Sequence, residues 1–202
     1  MVQRKTNRPL RDARQRLIRA SEKVFGQRGY TSATIAEITR LAGTGLGTFY
    51  EYFPSKESLF AQLVEYMSHE TRAYIAKAVE RERTRLEKEL AGFRAFFRFE
   101  RAHINLYRIV MQSQFVNEDL YRTYYRRLAD GYVSGLADAQ ARGEVDSGYD
   151  PEALAWILMG AAQFLGMRYV LWEHREPPAA AQLTLSTVLG RILSRAEQGA
   201  EG

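Results

Sequence analysis

The sequence predicts an all-α protein: a three-helix unit with a helix-turn-helix, followed by a larger helical domain. Three observations carry this. Residues 29–57 hold two short helical patterns separated by a glycine-bearing turn. The remaining chain repeats apolar residues at helical spacing between recognisable helix start and stop signals. The basic excess is confined to the front: residues 1–55 hold ten Lys/Arg against four Asp/Glu, and residues 56–202 hold nineteen against twenty.

Residues 1–9 are polar, with Arg4, Lys5 and Arg8, and read as a solvated tail or as an arm for a minor groove. Ala13, Leu17, Ser21, Val24 and Phe25 then repeat at helical spacing over residues 10–28, and Gly29 ends that helix. The next pattern runs from Ile35 to Leu41, where Thr34 and Glu37 have the spacing of a capping box. Gly43 supplies a backbone that tolerates positive φ, and the second helix runs from Leu46 to Tyr52, stopped by Pro54. Three helices are the minimum that buries Ile35, Ile38, Leu41, Phe49 and Phe53 together.

Ser55 caps a fourth helix with Leu59, Leu63, Tyr66 and Ile75 on its apolar side. It runs to about Val79, roughly 35 Å at ~1.5 Å per residue. Residues 80–89, ERERTRLEKE, form a charge run expected on a solvated helix face or turn. Residues 90–115 are rich in aromatics, with a helix break expected at His103–Asn105. Asn117 starts the next helix, which lasts to about Arg142–Gly143, and Asp150-Pro151 is a strong helix start. Residues 153–172 are long and apolar enough to span a membrane. Their two stripes favour a helix buried on most sides: Leu154, Ile157, Leu158, Ala161, Leu165 and Tyr169 on one, Trp156, Phe164 and Met167 on the other. Pro177-Pro178 separates it from a last helix over 179–195. The expected domains are therefore 1–54 and 55–202.

The segregated charge is the footprint of a phosphate-binding module on a neutral partner domain. The second helix of a helix-turn-helix can enter a major groove, and its free N-terminal amides suit phosphate. Residues 33–59 resemble the DNA-binding signature of TetR-family transcriptional regulators. Thr34-Ile35, Ile38, Ala42-Gly43, Gly47-Thr48, Tyr50, Tyr52-Phe53, Ser55-Lys56-Glu57 and Leu59 carry the likeness. Thr39 replaces the usual alanine, and Thr44 and Gly45 replace the usual hydrophobic residue and serine. Glycine is an acceptable N-cap, so the fold stands, but no serine hydroxyl is there to meet a phosphate. The resemblance implies Thr34, Tyr52 and Lys56 as phosphate anchors and Leu46, Thr48 and Tyr50 as groove-facing positions. Gly45 would contribute its backbone, and Phe49 and Phe53 would be core.

The second domain is expected to bind an effector. Candidates for lining its pocket are Phe93, Phe96, Phe97, His103, Tyr107, Met111, Tyr124, Tyr125, Trp156, Phe164 and Met167. Arg98, Arg101, Arg108, Arg122 and Arg126 offer to hold an anionic group. This pattern resembles acyl-CoA-responsive members of the family, so a small apolar or acyl-CoA-type effector is expected. The last two apolar helices suggest a homodimer through 151–172 and 179–195. Such a dimer would read a pseudo-palindromic DNA operator and act as a repressor.

Absence of cysteine excludes disulfides, thiolate metal sites and cysteine nucleophiles, and fits a reducing cytoplasm. The N-terminus has no apolar stretch of a secretory signal. His69, His103 and His174 lack metal-ligand spacing, and no nucleophile-elbow, zinc-protease or dinucleotide motif occurs. No strand pattern precedes Gly43-Thr44-Gly45-Leu46-Gly47, so it is not a phosphate loop. No cofactor, metal or membrane is expected. The competing readings are a ligand-independent DNA-binding protein and a helical enzyme.

Overall fold

The computed structural model describes residues 8–193, with side chains from residue 12. The tail cations Arg4 and Lys5, the Arg8 side chain, Arg195 and residues 196–202 lie outside this description. The helices are α1 Arg8–Arg28, α2 Ile35–Ala42, α3 Leu46–Tyr52, α4 Lys56–Val79, α5 Arg85–Ala102, α6 Ile104–Val116, α7 Glu118–Ala141, α8 Pro151–Leu165 and α9 Ala179–Leu193. No strand occurs among the described residues.

The chain forms two compact units. Among the described residues, one comprises 8–67 and 104–122, the other 68–103 and 123–193. Each unit thus takes part of α4, which passes from one to the other between Met67 and Ser68. The expected boundary at 54/55 follows the α3–α4 loop; the packing boundary lies more than three turns further along.

In the first unit, Leu17 and Phe25 of α1, Ile38 of α2, Phe49 of α3, Phe53, and Leu59, Phe60 and Leu63 of α4 are all buried. Leu106 and Ile109 of α6 join them. α6 is admitted by Gly26, where a Cβ would lie 2.5 Å from the Asn105 Cβ. Gln112 then fastens α6 to the end of α1: its Nε2 donates to Phe25 O at 3.3 Å and its Oε1 accepts from Tyr30 N at 2.7 Å. One expectation fails here. Leu41 is 45% exposed, because α2 turns Ile38, Thr39 and Ala42 inward. At ~100° per residue Leu41 falls outside that arc.

In the second unit, Phe93, Phe96 and Phe97 of α5 pack with Leu136 and Ala139 of α7, Leu154, Ala155 and Leu158 of α8, and Leu189 and Leu193 of α9. The charge run at 80–89 is not wholly solvated. Thr84 and Glu87 form a capping box that starts α5, and Arg85 and Glu89 are buried. α8 continues into a π-helical segment, Gly166–Trp172. The wider turn changes which residue faces the core: Val170, five positions after Leu165, is buried where 3.6-residue spacing selected Tyr169. Residues 151–172 keep the length and composition of a membrane span, yet they belong to a helical unit with its own core.

Glu100 of α5 is fully buried, and neither carboxylate oxygen has a hydrogen-bond partner. Burial holds its pKa well above the ordinary carboxylate value of 4.5. A raised folded-state pKa means that the stability it allows is complete below the unfolded value and is lost as pH rises toward the folded one. Glu100→Met is therefore expected to stabilise the protein by roughly 1–3 kcal/mol at pH 8, the usual cost of an unpaired buried polar group. The gain should shrink on approach to pH 4.5, as measured by urea unfolding at both pH values.

Candidate functional site

The helix-turn-helix is built by local caps and closed by remote ones. Thr34 Oγ1 accepts from Glu37 N at 3.1 Å. The Glu37 carboxylate pairs with Arg28 Nε at 2.7 Å, so Glu37 serves the α1–α2 contact as well as the cap. Gly43 has φ 62 and ψ 43, the left-handed conformation that the turn requires. Arg16 Nε donates to Ala42 O at 3.0 Å, supplying a cation at the C-terminus of α2. The buried Thr39 hydroxyl donates to Ala36 O, so this departure from the usual alanine is satisfied within the helix.

α3 presents two different faces. Phe49 is buried, while Leu46 is 52% and Tyr50 56% exposed. Gly45, Gly47 and Glu51 are exposed beside them, and Thr48 and Tyr52 are half-buried on the flanks. Gly45 is the N-cap and makes no side-chain cap bond. Thr44 Oγ1 is buried without a hydrogen-bond partner. Glu51 carries no signal in sequence; an exposed carboxylate on this face can accept from a cytosine amino group.

Lys56 is positioned differently from a free phosphate anchor. Its Nζ donates to Tyr30 O and Ala33 O, each at 3.0 Å, and lies 4.3 Å from the centroid of the Tyr30 ring. It ties the start of α4 to the α1–α2 loop.

The second unit contains a cavity of about 390 Å3 lined from α4, α5, α7 and α8. Of the sequence candidates, Phe93, Phe96, Tyr124 and Tyr125 line it. Phe97 lines a neighbouring cavity of about 320 Å3, with Arg94 and Leu183. Tyr107 and Met111 lie on α6, in the first unit, and do not reach the cavity. His103 caps α5 and lies against the Phe99 ring. Trp156 and Phe164 are exposed on α8, and Met167 is on the π-helical segment; none lines the cavity. The arginines singled out in sequence are also elsewhere: Arg98 and Arg101 pair with Glu176, and Arg122 with Glu118.

The polar wall of the cavity comes from residues that composition did not mark. Arg85 pairs with Glu89 one turn on, and the Tyr132 hydroxyl donates to Glu89 Oε2 at 2.5 Å. The Arg85 guanidinium also lies 5.3 Å from the Tyr132 ring centroid, and Arg85 N donates to Glu144 Oε2 at 2.6 Å. Burial, then the neighbouring Glu89 charge, push the Tyr132 pKa well above its ordinary value of 10. Its hydroxyl is therefore a donor throughout the neutral range. The only signal in sequence was the i, i+4 spacing of Arg85 and Glu89 inside the charge run.

Residues 17–63 match the family described as bacterial regulatory proteins, tetR family. The chain carries a TetR-family DNA-binding domain. It is 25% identical over 188 residues to the HTH-type transcriptional regulator YdgC of Bacillus subtilis, covering 91% of this chain and 94% of that one. Its fold matches Salmonella enterica GusR with TM-score 0.77 at 22% identity, over 90% of this chain and 95% of that one. It also matches FadR of Bacillus subtilis, solved in complex with stearoyl-CoA, with TM-score 0.75 at 18% identity, over 89% and 97%. The chain is thus a DNA-binding transcriptional regulator; the relatives it matches are named as regulators, not enzymes.

Proposed function

We propose that this TetR-family regulator is a homodimeric, cytoplasmic repressor that leaves its operator when an effector fills the cavity of the second unit. The observation that carries the DNA reading is the uncovered face of α3, with Leu46 and Tyr50 outward and Phe49 inward. Thr34 and Tyr52 flank that face, and the backbone of Gly45 opens the helix toward a phosphate. Two such helices related by a two-fold axis read successive major grooves when they lie about 34–36 Å apart, hence a pseudo-palindromic site.

The dimer reading rests on α8 and α9. Ile157, Phe164, Leu183 and Val188 are exposed on these helices, more apolar side chain than a solvated surface needs. An isologous pairing of the two helices with their symmetry mates covers them. The effector reading rests on the cavity, whose size falls within the ~300–1,000 Å3 typical of ligand sites. An apolar or acyl-CoA-type molecule suits its lining, in keeping with the stearoyl-CoA bound to the similarly folded FadR. α4 contributes Leu59 and Leu63 to the first core and Ile75 and Val79 to the cavity. A hundredfold preference of the ligand for one arrangement of α4 shifts the equilibrium by about 2.7 kcal/mol.

The test is fluorescence anisotropy with operator DNA at moderate salt. Tyr50→Ala and Thr48→Ala are each expected to weaken specific binding by on the order of 1–3 kcal/mol while leaving the fold intact. A wild-type protein with no sequence preference would refute the regulator reading.

A further inference from the structure

We propose that the cavity of the second unit selects an anionic amphiphile: Gly131 of α7 keeps open the slot for its apolar chain, and Arg127 and Lys88 face its charged end. This rests on the reading of the cavity as the effector site, and adds which chemistry the site accepts and which residue sets its capacity.

The charge balance of the lining comes first. Arg72, Arg85, Lys88 and Arg127 line the cavity against a single carboxylate, Glu89. Glu89 is committed to Arg85 and to the Tyr132 hydroxyl. Arg72 donates through Nε to Ser68 O of its own helix. Lys88 and Arg127 have no carboxylate within ion-pair distance among the described residues, although Lys88 is near enough to Glu144 to help lower its pKa. Arg85 adds a second feature: it is only 8% exposed, and its Nε is buried without a hydrogen-bond acceptor. A buried donor without an acceptor at the wall of a cavity suits a ligand oxygen. Ile75, Val79, Phe93, Phe96 and Met159 give the wall its apolar surface, and the Tyr125 hydroxyl is turned to Gln163 Oε1 at 3.1 Å.

Gly131 supplies the capacity. Glycine inside a helix lowers stability relative to alanine, so its presence needs a reason. At Gly135, one turn on, the reason is packing: a Cβ would lie 2.6 Å from Arg85 Nη1. Gly131 is exposed at the mouth of the cavity that it lines, and a Cβ there would meet nothing within 4 Å. Its missing side chain leaves the slot open at that mouth, where a larger side chain would narrow it. A chain seated there lies beside Leu128 and Tyr132, its helical neighbours on the same lining.

The experiment is isothermal calorimetry on the full chain, with probes kept below their micelle-forming concentrations. Dodecanoate and dodecanoyl-CoA present the anion as carboxylate or as phosphate; dodecanol and dodecyltrimethylammonium carry the same chain without it. At least one anionic probe is expected to bind tenfold or more tightly than dodecanol, and the cation more weakly still. Whichever anion binds identifies the source of the charge. Arg127→Gln is expected to weaken the anion and leave dodecanol unchanged. Gly131→Leu is expected to raise the Tm of the free protein by a few degrees and to cut anion affinity tenfold or more. Gly131→Ala gives a smaller loss and serves if the leucine variant misfolds. Equal binding of dodecanol or of the cation would overturn the charge assignment while leaving an apolar effector site. Unchanged affinity in both Gly131 variants would overturn the slot. If no probe of any charge binds, the effector reading of the cavity falls with both.

Discussion

Arg85→Met is expected to destabilise the protein by about 3–5 kcal/mol, the cost of leaving a buried charge without its partner. Glu89 is 2% exposed and has two partners, the Arg85 guanidinium and the Tyr132 hydroxyl. Methionine fills the space of the arginine stem but leaves the carboxylate facing one neutral donor. Arg85→Met/Glu89→Leu should recover most of that loss, because apolar side chains of similar volume replace a buried ion pair at little cost. The backbone hydrogen bond is preserved in both variants, since Arg85 N reaches Glu144 Oε2 whatever the side chain. Urea unfolding of the wild type, both single variants and the double variant closes the cycle. A loss below about 1 kcal/mol in Arg85→Met would mean that the pair is solvated, as exposed pairs are. The raised pKa of Tyr132 sets the pH window. Stability held by its neutral hydroxyl is complete below the unfolded-state value near 10 and is lost only above it. The cycle therefore gives one answer across neutral pH.

What could be read in sequence follows how far apart the interacting residues lie. Thr34, Gly43, Ser55 and Asp150 act on backbone within a few positions, so the helix boundaries they set were legible. The capping box of Thr84 and Glu87 was equally local but lay hidden in a run dominated by charge. The aromatic stretch shows the limit. Phe93 and Phe96 line the cavity, while Tyr107, only eleven positions beyond Phe96, is buried in the other unit. The turn at His103 separates them, and composition gives no sign of which side of it faces which core. Tyr132 reaches Glu89 across 43 positions, beyond any spacing rule. The π-helical segment defeats periodicity for another reason: its wider turn shifts the inward face from Tyr169 to Val170. The α3 face was more legible, since a seven-residue helix leaves few ways to bury Phe49.

Lys56 offers the sharpest separation between holding DNA and holding the DNA-binding unit together. The resemblance assigns it to phosphate; its Nζ instead donates to two loop carbonyls, Tyr30 O and Ala33 O. Hydrogen bonds from a charged donor contribute about 1.5–3 kcal/mol, and the stacking of the ammonium on the Tyr30 ring adds to them. Lys56→Met is therefore expected to cost roughly 1.5–3 kcal/mol in urea unfolding. Lys56→Arg should restore only part of it, because a planar guanidinium directs its donors differently from an ammonium. The salt dependence of operator binding decides the role. If Lys56 neutralised a phosphate, its removal would lower the slope of log affinity against log salt by about one. A lysine that only anchors the loop leaves that slope unchanged, and binding falls only as far as the helix-turn-helix loses its geometry. The expected result is the second, with stability reduced and slope intact. The reverse pattern would place the ammonium on the DNA and require Lys56 to abandon both carbonyls in the complex.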